Sequence, residues 1–207
     1  MEQTFGRDKA KKNIIIFVVG VFISILASII PSIGELANLP WLTFIAFVGL
    51  IGFILEIYAI IRLRNVNKYY ANSLWAVIFD IVASTVAITL SVAYTFNEGN
   101  TILPRLVNGF GIASDIFEAL SVINFVLGTN VLAAESGKAM PKLTRIIVLG
   151  YVGIFAVSLV VNLLELIPAI AENATVLFVF AVIILVLYII REIAYLFFLI
   201  RALWRVE

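Results

Sequence analysis

The sequence predicts an all-α polytopic membrane protein, a single helical bundle of six transmembrane helices. Three observations predict it. Of 207 residues, 63% are hydrophobic. Only 13% are charged, about half the roughly 25% usual in a soluble domain. The mean hydropathy is +1.15. Six apolar stretches of about 20 residues, each able to cross about 30 Å of hydrocarbon, would use most of the chain. The polar remainder is too short for a separate soluble domain. Strands are not expected, because a membrane barrel needs short segments of alternating polarity and these runs are apolar all round.

The first span is read over 13–30, behind the basic residues Arg7, Lys9, Lys11 and Lys12. Its apolar run is long for a signal sequence and no A-x-A-like cleavage site follows, so a retained span is expected. The second, 41–61, opens on Trp41 and ends before Arg62, Arg64 and Lys68. The third covers 74–96, bounded by Tyr69, Tyr70 and Trp75 at one end and Tyr94 at the other. The fourth, 110–133, and the fifth, 143–167, meet at a loop flanked by Lys138, Lys142 and Arg145. The sixth, 176–203, runs into Trp204 with Arg201 and Arg205. Aromatic residues at span ends match a membrane-interface belt.

The three remaining loops hold one basic residue, Arg105, and carry Glu35, Glu98 and Glu172. By the bias of lysine and arginine toward the cytoplasm, both termini are expected inside the cell and the acidic loops outside, in the plasma (cytoplasmic) membrane. The basic residues also suit contact with anionic lipid headgroups, and no run is basic enough for nucleic acid. The expected partners are the lipid bilayer and either further copies of the chain or other membrane subunits.

A hairpin period accompanies this alternation. Ile30-Pro31-Ser32-Ile33-Gly34-Glu35 resembles Ile167-Pro168-Ala169-Ile170-Ala171-Glu172. Each even-numbered span also carries an Ile-x-Glu triplet, ending at Glu56, Glu118 and Glu192. This reads as three tandem two-helix hairpins. An alignment at a constant offset would instead place Asn124 opposite Glu56 and Glu192, and Ile-x-Glu is a cheap match in a chain rich in isoleucine.

The chain has no histidine and no cysteine. Imidazole bases, cysteine nucleophiles, thiolate or imidazole metal sites and disulfides are thereby excluded. No catalytic motif and no cofactor are expected. Gly109-Phe110-Gly111 lacks the third glycine and preceding strand of a dinucleotide site and reads as helix packing, and Gly150 and Gly153 read as a close helix contact. Asn173-Ala174-Thr175 matches a glycosylation acceptor set close to the membrane.

Seven charged residues fall inside the spans: Glu56, Asp80, Asp115, Glu118, Glu165, Glu192 and Arg191. Ionised groups facing hydrocarbon are costly, so these should point inward or lie near an end. Helical spacing puts Gly49, Gly52 and Glu56 on one face. It also groups Asp80, Ser84, Ala87 and Ser91, then Gly111, Ser114, Glu118 and Ser121, then Ser158, Asn162 and Glu165. Glu56 precedes Arg62 by six residues, about 9 Å of helix. Asp115 and Glu165 fall nearer the outer edge, so the six acids read as a ladder across the membrane for proton or cation movement, with Arg191 as a charge partner. Two functions follow: a small cation- or proton-coupled transporter or channel, or a non-catalytic structural or assembly subunit of a larger membrane complex.

Overall fold

A computed structural model describes residues 2–36, 45–97, 100, 102–164 and 173–205. They form six helices: α1 (Glu2–Leu36), α2 (Ala46–Leu63), α3 (Lys68–Thr95), α4 (Ile102–Glu135), α5 (Pro141–Leu164) and α6 (Ala174–Arg205). No strand occurs among the described residues. Five helices are long and apolar enough to cross a membrane, and α2 adds an 18-residue helix of the same character. The outward surface suits lipid, with Val19, Phe22, Ile51, Trp75, Ile88, Leu149, Phe178 and Phe197 all exposed. A surface this apolar is compatible with a membrane.

Helix ends fall outside the apolar spans wherever an asparagine caps them. Asn67 Oδ1 accepts from Tyr69 N and Tyr70 N, so α3 begins six residues before Leu74. Asn100 Oδ1 accepts from Ile102 N and Leu103 N, starting α4 eight residues before Phe110. Asn173, the glycosylation match, accepts from Val176 N and starts α6. Each side chain satisfies amide donors that the first helical turn leaves open. Pro141 opens α5, where a missing N–H costs nothing. α4 ends at Gly137, φ +70°, with Lys138 N donating to Ala133 O and Gly137 N to Ala134 O. That is a Schellman closure, and its left-handed residue favours glycine.

α1 lies antiparallel on α2, and α3 on α4; these two contacts are the most extensive in the bundle, while α5 and α6 share less surface. In lipid no hydrophobic force separates helix faces from solvent, so close packing and interhelical hydrogen bonds hold such pairs. The first pair crosses at Gly20 and Gly52. A Cβ on either would lie 2.7 Å from the other's carbonyl oxygen. The second pair is tied by polar contacts. Asn67 Nδ2 donates to Gly128 O at 3.1 Å, Tyr70 Oη lies 3.0 Å from Thr129 Oγ1, and Ser73 Oγ donates to Ser121 O at 2.9 Å. The pairs join through Phe17, stacked on Phe125 at 3.7 Å, with Tyr70 edge-on to the same ring.

The glycine contacts expected from sequence are not the ones found. Cβ atoms built on Gly109, Gly111, Gly150 and Gly153 meet nothing within 4 Å among the described residues. Gly109, Gly150 and Gly153 are exposed, and Gly111 is half-buried. Of the expected small-residue faces, that of Gly49, Gly52 and Glu56 does meet a partner, namely α1.

Candidate functional site

All six helices line one cavity of about 730 Å³. Glu56 from α2, Asp80 from α3, Glu118 from α4 and Glu192 with Arg191 from α6 are in its wall. Apart from Ser24 and Ser121 their setting is apolar and aromatic, including Phe17, Phe53, Tyr151, Leu185, Tyr188 and Tyr195.

Each charged group reaches the cavity by a different local device. Glu56 sits one turn beyond Gly52, where the backbones of α1 and α2 come closest, and Ser24 Oγ on α1 donates to its Oε1 at 2.7 Å. Asp80 Oδ1 accepts from Ser114 Oγ on α4, and Ser84 Oγ lies 2.7 Å from the same serine oxygen. The expected faces of Asp80 with Ser84 and of Ser114 with Glu118 therefore meet each other.

Arg191 is the hub. Its Nη2 is 2.6 Å from Glu192 Oε1 and 3.1 Å from Glu118 Oε1. Its Cζ lies 4.7 Å from the ring centre of Tyr151 on α5 and 4.4 Å from that of Tyr188. The guanidinium thus has two carboxylates for its donors and two aromatic rings within cation–π range. Its side chain is 13% exposed, against 24% for Glu192 and 46% for Glu118. The positive end of the cluster is buried, and the Glu118 carboxylate opens to the cavity.

Of the six acids singled out in the sequence, Glu56, Asp80, Glu118 and Glu192 line one cavity. Asp115 lies three residues before Glu118, half-buried and outside the cavity wall. Glu165, Glu98 and Glu172 lie outside the described residues, as does Trp41. All three Ile-x-Glu glutamates do line the cavity, whereas Asn124 turns back to its own helix and donates to Leu120 O. Ser24 and Tyr151 are site residues that sequence reasoning missed. Tyr151 could have been found by stepping the Ser158 face back seven residues. Ser24 shares a stripe with Gly20 and Ala27 at helical spacing.

Chemically, four carboxylates face one guanidinium. If all five groups are ionised, the cluster carries net charge −3 by formal count. Uncompensated charge is costly in a low-dielectric wall, so protons or a cation are needed to balance it. Among the described residues no three acids come together closely enough to hold a metal ion. No family model, curated protein or solved structure matches the chain.

Proposed function

We propose that this chain is a small six-span membrane transport protein, a transporter or channel, that takes a cation or proton into the cavity held by Glu56, Asp80, Glu118 and Glu192. The observation carrying this reading is the convergence of carboxylates from four helices on one cavity with a single arginine to balance them. Intramembrane acids directed at a shared cavity are the usual apparatus of ion and proton pathways. Arg191 holds Glu118 and Glu192 in place and leaves Glu56 and Asp80 as the acids supported by neutral hydroxyls. The test is flux in proteoliposomes under an imposed cation or proton gradient. Glu56→Gln and Glu192→Gln should each abolish it while circular dichroism and elution volume stay unchanged. Flux that survives both substitutions refutes the reading.

The second reading, a structural or assembly subunit, draws on the same cluster, since Arg191 and Asp80 already have partners within the chain. It requires no flux from the isolated protein, stable co-purification with other membrane subunits, and loss of that assembly when the acids are changed.

The orientation belongs to the proposal as well: both termini in the cytoplasm, with the loop at Ser136 inside and Asn100 outside. Because the chain has no cysteine, Ala139→Cys, an exposed position in the same loop as Ser136, and Asn100→Cys each supply a unique accessible thiol. An impermeant maleimide added to intact cells should label the second and not the first. A triplicated hairpin is the origin we propose for the three cavity glutamates on α2, α4 and α6.

A further inference from the structure

We propose that the cavity's ligand is an amphipathic organic amine in its protonated form, rather than a bare inorganic ion. This deepens the transport reading and rests on its premise that the cavity takes a cation.

Size is the first reason. A space of about 730 Å³ is drug-sized, within the roughly 300–1,000 Å³ typical of sites for small organic molecules, and far more than an ion needs. The wall is the second. An ion site surrounds its guest with oxygens at close range, but here the acids are spread over four helices among Phe17, Phe53, Ile57 and Leu185, and no three gather around one point among the described residues. An apolar body with one positive end matches such a surface, its body on the aliphatic and aromatic wall and its charge beside the Glu56 carboxylate. Tyr195 is the third and independent reason. It belongs to the cavity wall, is 2% exposed, and its buried hydroxyl has no hydrogen-bond partner among the described residues. A buried hydroxyl without a partner is destabilising. With a small turn of the ring toward the cavity, an N–H of a protonated amine would supply that partner, the hydroxyl oxygen accepting.

The test is equilibrium binding of dansylcadaverine, a fluorescent primary amine, to the full chain in detergent, read by fluorescence anisotropy. Its N-acetyl derivative serves as the neutral probe of nearly equal size. Saturable binding of the amine is expected, with affinity at least about tenfold below it for the acetylated probe and for Glu56→Gln, the range of one charged hydrogen bond. Tyr195→Phe keeps the ring and loses no partner, so it should fold normally and weaken the amine several-fold. Competition by phosphatidylethanolamine in nanodiscs would support the same chemistry with the membrane's own amine as its source. Equal binding of the two probes to the unaltered protein overturns the inference, as does displacement of the amine by millimolar sodium or calcium. Amine binding without flux would leave the site standing and remove transport. Sodium flux without amine binding would do the reverse.

Discussion

The crossing of α1 and α2 gives the sharpest test of what holds this bundle together. A methyl group at Gly52 would sit 2.6 Å from Ser24 Oγ, 2.7 Å from Gly20 O and 2.8 Å from Ser24 N. Two of those neighbours are backbone atoms, which cannot rotate away. Ordinary contact begins near 3.4 Å, so Gly52→Ala forces the backbones apart by 3.4 less 2.7, or 0.7 Å. The Ser24–Glu56 hydrogen bond, 2.7 Å long, then stretches beyond useful range. Overpacking costs about 1–3 kcal/mol, and a lost interhelical hydrogen bond in a membrane protein about 0.6 kcal/mol. Alanine returns up to about 1 kcal/mol through its better helix propensity. The balance is a net loss of roughly 0.5–2.5 kcal/mol. Unfolding by dodecyl sulfate in mixed micelles, followed by circular dichroism, measures it. Gly150→Ala is the control, because its Cβ meets nothing within 4 Å, and it should be neutral or gain up to about 1 kcal/mol. If Gly52→Ala is as stable as Gly150→Ala, the close crossing does not exist in solution and the placement of Glu56 falls with it.

Arg191→Met removes the one cation that the described residues place in the cavity wall and leaves Glu118 and Glu192 without their shared partner. Because both acids are partly exposed, the loss should be about 1–3 kcal/mol rather than the larger cost of a fully buried pair. Adding Glu118→Gln should recover part of it, and a double-mutant cycle in the same unfolding assay would detect the coupling; strict additivity would show that the ion pair has no energetic weight. Asn67→Ala should cost about 1 kcal/mol or more, since the side chain caps α3 and also binds Gly128 O. Asn124→Ala should stay within about 0.5 kcal/mol, because that carboxamide donates to a carbonyl of its own helix; equal effects would refute the assignment of Asn67 as cap and tie.

Reading along the chain locates polar faces well and helix ends poorly, for separate reasons. The face shared by Gly49, Gly52 and Glu56 follows from 3.6 residues per turn alone, and it does meet α1. The start of α3 does not follow from hydropathy, because Asn67 extends the helix through polar residues that an apolar span excludes. Glycines show the same limit. Gly150 and Gly153 look like a packing motif, but a helix apolar on every side carries no mark of which side finds a neighbour.

Composition and the placement of charge by themselves predicted the long apolar helices that the described residues form, and singled out a handful of acids too costly to leave among apolar surroundings. Both follow from transfer free energies, which depend on residue type and position along one helix. Tertiary structure alone decided which acids share a cavity, that Arg191 on α6 binds Glu118 on α4 across 73 residues of sequence, and that Tyr151 and Tyr188 lie within cation–π range of its guanidinium. Those contacts depend on how each helix is rotated about its axis and which helix lies beside it. In a helix hydrophobic all round, packing against the other helices sets both.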